Sequence, residues 1–209
     1  MNSISSFSKL IKQMNSSYKK YTTSLFLAFA LTMSTITIQA QQFKGGLLGG
    51  LSTNQIDGDT QKGYNKLGLF SGVFVETNLT KVVGAKVELY YIGKGAKQNI
   101  GGVEVFKTKL NYVEMPFLLK LEPIQKIVLD VGIAVSYLIS VRQFEYGEEI
   151  PSSLIDLHNF DYSAIISGSY YFNDNWAFNA RFDYSIVPIK RDHNWYNSNF
   201  SFGFLYLFN

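Results

Sequence analysis

Residues Asn199–Asn209 read NFSFGFLYLFN, and Phe200, Phe202, Phe204, Tyr206 and Phe208 fall on every second position. Successive side chains of a strand point to opposite faces, so these five share one. In water that aromatic face would be an aggregation hazard. In a bilayer it is the lipid side of a barrel strand, with aromatics gathered at the interfaces. The other face carries Ser201, Gly203, Leu205 and Leu207, none of them charged. Such a strand needs a partner on each edge, because hydrocarbon offers nothing to bond an open one. It is expected to be the eighth strand of a barrel, closing onto Phe43–Asn54.

The same alternation recurs upstream. In Val128–Arg142, Leu129, Val131, Ile133, Val135, Tyr137, Ile139 and Val141 form one face. Asp130, Gly132, Ala134, Ser136, Ser140 and Arg142 form the other, with Leu138 as the exception. A segment of about fifteen residues is long for a soluble domain, where strands run to ~5–6. Val82–Lys97 sets Val83, Ala85, Val87, Leu89 and Tyr91 against Gly84, Lys86, Glu88, Tyr90 and Lys94. Leu110–Leu121 sets Val113, Met115, Phe117 and Leu119 against Tyr112, Glu114, Pro116 and Lys120. Trp176–Ile186 sets Trp176, Phe178, Phe182 and Tyr184 against Asn179, Arg181, Asp183 and Ser185. Phe43–Asn54, Lys66–Thr77 and Phe160–Phe172 complete a set of eight, although glycines and small residues blur their faces.

The connections alternate in length. Asn78–Lys81, Glu122–Lys126 and Asn173–Asn175 are tight turns, whereas Gln55–Asn65, Gln98–Glu104, Gln143–Asn159 and Pro188–Ser198 are longer and polar. Short turns on one side and long loops on the other are the pattern of an outer-membrane barrel. The expected fold is therefore all-β, an eight-stranded antiparallel up-and-down transmembrane barrel spanning residues 41–209. No membrane helix is expected after Ala40, since no apolar run approaches ~20 residues.

Residues 1–40 read as a cleaved signal peptide, with Met14 as an alternative start. Lys19 and Lys20 precede the apolar run Leu25–Leu31, and a small residue, Ala40, stands at the cleavage position. This segment also accounts for the net charge of +3. Removing its four lysines from the 19 basic residues leaves 15 against 16 acidic ones, so a nucleic-acid partner is not expected. The chain has no cysteine, which excludes disulfides and a lipid-anchored N-terminal cysteine.

Leu110–Lys120, reading LNYVEMPFLLK, resembles the YLEIP-LLK segment of PorT-like outer-membrane β-barrel proteins of Bacteroidetes. Gly63–Gly68 with Gly72, and Glu88–Gly95, are similar to that family's second and third strands, and Asn54–Asp59 to its first loop. The similarity covers residues 42–209 in order. It implies an eight-stranded barrel in the bacterial outer membrane, and for the namesake group a role in protein secretion.

Inward positions by alternation include Lys86, Glu88, Glu114, Lys120, Asp130, Arg181 and Asp183. Eight strands enclose room for side chains or one small ligand, so Lys86, Glu88, Glu114, Asp130, Arg181 and Asp183 are expected to form a self-paired interior network. Glu114 with Arg181 is the expected central pair. Pro116, which removes a ladder hydrogen bond, is expected at a bulge or bend.

Catalysis has thin support: His158 and His193 both fall in loops, and a His193–Ser198–carboxylate arrangement can be drawn without matching a known order. Asn54, Asp57 and Asp59 lack the following bidentate glutamate of a calcium loop. No cofactor is expected. The expected function is a non-enzymatic barrel with a filled interior, acting structurally or through its outer loops. The alternatives are an accessory component of a secretion system, an outer-leaflet lipid-modifying enzyme, a narrow channel, and a soluble lipocalin-like carrier, which would need its apolar face inside. Expected partners are outer-membrane lipid, the assembly machinery that reads the C-terminal strand, and a protein at the outer loops, where Phe144, Tyr146, Glu148 and Glu149 are available.

Overall fold

The computed structural model describes residues 43–59, 63–151 and 156–208. The expected signal segment, residues 1–40, and Asn209 lie outside the described residues. Among the described residues nine strands follow in order: β1 Lys44–Asp57, β2 Lys66–Asn78, β3 Val83–Ile100, β4 Val103–Ile124, β5 Ile127–Glu145, β6 Glu148–Ile150, β7 Phe160–Tyr171, β8 Trp176–Ser185 and β9 Tyr196–Leu207. All pairings are antiparallel, and each long strand pairs with the next along the chain. β9 then pairs with β1 from Gly46↔Leu207 to Asp57↔Tyr196, which closes an eight-stranded ring. Short β6 adds to the outer end of β5 through Gln143↔Ile150 to Glu145↔Glu148.

The exposed surface is inverted relative to a soluble protein. Val73, Leu89, Phe117, Val131, Ile133 and Ile166 are all more than two-fifths exposed, whereas Lys86, Lys94, Glu114 and Asp183 are buried. Aromatic side chains cluster at both ends of the apolar band. Trp176, Tyr206 and Phe208 meet edge to face or tilted at the turn end. Tyr64, Phe182 and Phe200 do so at the loop end, where Tyr137 also meets Phe160. These are the girdles of a membrane barrel.

Glycines on the inner face make room for the aromatics of β2. A Cβ on Gly46 would lie 2.3 Å from the Phe74 ring, and one on Gly203 would lie 2.8 Å from the Phe70 ring and 2.3 Å from the Gly49 carbonyl. Phe70, Phe74, Leu48, Leu205 and Leu207 thus pack as an apolar floor. At the other end the loops fold back over the mouth. Leu157 bridges Lys190, the His158 amide donates to the Ile189 carbonyl at 2.8 Å, and Ile189 is 1% exposed against Ile56, Leu110 and Tyr112.

Three expectations need correction. Gln98–Glu104 is not a loop: β3 and β4 continue to Ile100↔Val103 and turn through Gly101–Gly102, whose φ values of 59° and 85° suit a two-residue hairpin. Gln143–Asn159 likewise begins as strand, turning at Tyr146–Gly147 into β6. Pro116 causes no bulge. It sits in register opposite Ala134, and the β3–β4 register holds from Val87↔Phe117 to Tyr90↔Glu114 across it.

The irregularity lies between Asn111 and Tyr112, which pair with Ser140 and Leu138 and so leave one extra residue in β5. That bulge reverses the faces beyond it: Val141 packs inward against the core, and Arg142 is exposed. Leu138 keeps the inner face that alternation gives it, as the apolar exception there, and the parity changes after it, at Ile139. Unboiled protein should migrate differently from boiled protein on an SDS gel, and Gly203→Val should abolish that difference because the Cβ has no room beside the Gly49 carbonyl.

Candidate functional site: the interior ion network

Because alternation points every second residue of each strand inward, the charged residues on those positions must meet one another inside the ring. Lys94 of β3 is the hub. Its ammonium lies 2.6 Å from Glu114 Oε2 of β4, 3.0 Å from Asp183 Oδ2 of β8 and 4.0 Å from Asp161 Oδ2 of β7. Ser136 also donates to Glu114 (2.7 Å), Asn199 to Asp183 (2.6 Å) and Asn197 to Asp161 (2.8 Å). The Tyr112 ring lies against the same ammonium, 5.7 Å from its centroid.

One layer toward the turn end, Arg181 of β8 reaches Glu88 of β3 at 2.7 Å and 2.9 Å through two nitrogens. This crosses the lumen, as Lys94–Asp183 does, since β3 and β8 are not neighbours in the ring. Arg181 also donates to the Tyr90 hydroxyl at 2.9 Å, and that hydroxyl donates to Glu114. The expected Glu114–Arg181 pair is thus corrected: the two are joined through Tyr90, while Arg181 pairs with Glu88 and Glu114 with Lys94. Lys86 pairs with Asp130 at 2.7 Å, with Ser167 donating to Asp130 at 3.2 Å. Lys120 pairs with Glu76 at 2.6 Å. The last pair forms one wall of a shallow vestibule of about 290 Å³ at the turn end.

All six network candidates from the sequence are buried in these contacts. Lys94, Asp161 and Glu76 were not among them. Lys94 stood on the right face of its strand but in a run of glycines, and Glu76 and Asp161 belong to strands whose faces small residues obscure. An excess of inward acids over inward cations was the available signal for further members.

The other sequence candidates are placed elsewhere. The Asn54 amide is buried and donates to the Lys66 carbonyl at 2.9 Å and the Gly93 carbonyl at 3.2 Å, so it does not face Asp57, which accepts from Gln55 at 2.5 Å. Among the described residues no group of three or more His, Asp or Glu side chains is arranged to hold a metal. His158 and His193 line one cleft of about 700 Å³ beside Phe160, Tyr162, Lys190 and Arg191. Ser198 is not part of it; its hydroxyl lies 2.7 Å from that of Tyr64, and the His193 ring faces Trp195. No nucleophile–base contact joins His193 to Ser198.

Outside the apolar band, at the β3–β4 tip, Glu104 lies 2.8 Å from Lys97 and 3.0 Å from Lys107. Hydrogen bonds from these ammoniums hold its carboxyl below the usual carboxylate range. A depressed folded pKa stabilises above the unfolded value and is lost as pH falls through the folded one. Hydrogen-exchange protection of the tip amides should therefore be constant near neutrality and drop only in acid.

Residues 39–191 match the family model described as the outer membrane protein beta-barrel domain. The fold is similar to that of Ail, the attachment invasion locus protein of Yersinia pestis, with a TM-score of 0.51 and 11% identity, covering 80% of this chain and 99% of that one. It is equally similar to Neisserial surface protein A, with a TM-score of 0.51 and 11% identity over 81% of this chain and 100% of that one. Among curated proteins no match was found.

Removing the hub cation leaves its buried carboxylates facing one another. Lys94→Met should cost about 3–5 kcal/mol in urea unfolding from micelles. Arg191→Gln, which breaks the exposed 3.1 Å pair with Asp156, should cost less than ~1 kcal/mol.

Proposed function

The chain belongs to the outer membrane protein beta-barrel domain family, and from that premise we propose that it is a non-enzymatic, non-conducting barrel of the bacterial outer membrane. It acts structurally and through the end that carries the long β3–β4 hairpin, β6 and the folded-back loops. One observation carries this proposal. Each of the cations Lys86, Lys94, Lys120 and Arg181 is bonded to a carboxylate across the lumen or across a strand, above an apolar floor. An ion entering that space would have to displace a buried pair, at a cost of about 3–5 kcal/mol each. Partners at the working end meet β6 and the adjoining strand, where Arg142 and Glu149 pair at 2.7 Å and Phe144 lies beneath two cations.

The finer alternative is a PorT-like role in protein secretion. Its support is the similarity of Leu110–Lys120, and within that segment Tyr112, Glu114 and Pro116 are buried on the inner face. Similarity at those positions reflects how a barrel wall is packed, so it favours a common architecture over a common cargo. Deletion of the gene followed by comparison of exported proteins separates the two: unchanged export sinks the secretion role.

In planar bilayers the refolded protein should give no discrete conductance steps at 100 mV. Stable, reproducible steps would overturn the filled-interior proposal. The Lys94→Met variant, if it assembles, should be leakier than wild type.

A further inference from the structure

β2 and β3 pair only from Asn78↔Gly84 to Phe70↔Ile92. Beyond that point β2 stays on β1 as far as Asn54↔Lys66, and β3 stays on β4 as far as Ile100↔Val103. The ladder therefore opens in the half of the wall nearer the loops. Side chains replace the missing backbone bonds: Asn54 donates to the Gly93 and Lys66 carbonyls, and the Lys66 ammonium donates to the Leu67 carbonyl at 2.9 Å. Two glycines, Gly68 and Gly93, meet at the seam. With no side chain on either, a groove of about 410 Å³ forms on the outer surface, flanked by Leu67, Leu69 and Tyr91. These three are 68%, 64% and 43% exposed, so the groove lies in the lipid-facing band.

The head of this groove is electropositive. Lys107 and Lys109 act electrostatically on the Lys66 ammonium. Across the β3–β4 and β4–β5 ladders, Lys97 stands opposite Lys107 and Lys109 opposite Arg142. Like charges directly opposite one another destabilise a sheet. Glu104 offsets the first pair and Glu149 offsets Arg142. Among the described residues, Lys66 and Lys109 have no carboxylate within ion-pair distance. The groove is apolar along Leu67, Leu69 and Tyr91 and carries at its head the part-buried Lys66 ammonium, in the field of Lys107 and Lys109, which is the charge order of one acyl chain below a phosphate.

We propose that the β2–β3 seam is a docking groove for a phosphorylated lipid of the outer leaflet, its chain lying over Gly93 and its phosphate on Lys66 and Lys109. The inference rests on the outer-membrane placement above and goes beyond it by naming the ligand and its contacts.

Gly93 supplies a clean test, because a Cβ there meets nothing closer than 3.6 Å and its φ lies outside the left-handed region. Gly93→Leu should fill the groove and leave the barrel intact. Native mass spectrometry of the full chain from micelles, titrated with a bisphosphorylated glucosamine lipid and its dephosphorylated counterpart, reads the binding. Wild type should retain the phosphorylated lipid at least tenfold more strongly than the dephosphorylated one. The Lys66→Gln/Lys109→Gln double variant and Gly93→Leu should each lose about tenfold, whereas Arg191→Gln should bind as wild type does.

If Gly93→Leu does not assemble, Leu67→Ser takes its place in the groove arm. Undiminished binding by either the double variant or the groove variant overturns the proposal, as does equal retention of the two lipids. Every variant must first show the heat-dependent gel shift and fractionate with outer membrane. Failure of wild type to fractionate there would overturn the placement itself, which keeps the two outcomes apart.

Discussion

A backbone amide in hydrocarbon has no water to bond, and that constraint orders most of what this chain does. It requires that β9 find β1, since an open edge in lipid would leave a row of donors and acceptors unmet. Closure in turn fixes an interior with room for little but side chains around the buried charged residues, so ions that face inward must find ions. Even the place where the ladder opens obeys it: at the β2–β3 seam the Asn54 amide and the Lys66 ammonium take over bonds that backbone groups make elsewhere.

The outer face was legible because it needs only local information. Period-two alternation tells which residues share a side, and Phe200 through Phe208 declared theirs without help from the rest of the chain. Loop lengths added which end was which. Where alternation was broken the legibility broke with it: a single extra residue in β5 reverses the faces past Leu138, and nothing in Leu-Ile-Ser-Val announces it. The polar residues flanking Gly101–Gly102 looked like loop when they are strand.

The interior pairing was less legible, for a geometrical reason. Alternation gives the face of a residue and not its height in the barrel. Height depends on strand tilt and stagger, which are properties of the closed sheet. Glu114 and Arg181 are both inward and opposite in charge, yet stagger places Arg181 level with Glu88 and gives Glu114 to Lys94. Tyr90, an aromatic that reads as filler, turns out to carry the link between the two pairs. Two proteins at 11% identity share the fold, which fits a division of labour in which the backbone ladder sets the architecture and each sequence solves its own interior.

The strands differ greatly in length around the ring. β3, β4 and β5 have 18, 22 and 19 residues, whereas β7, β8 and β9 have 12, 10 and 12. A membrane crossing takes about 9–11, so one half of the wall ends near the lipid headgroups and the other stands well above them. The barrel therefore has a compass bearing in the plane of the membrane. A neighbour drifting up to the β7–β9 side meets aromatic rings level with the bilayer, and one arriving from the β3–β5 side meets a raised, charged parapet first. Crowding alone would then sort which neighbours settle on which side, and a molecule with no rotational symmetry in its rim could impose order on those around it.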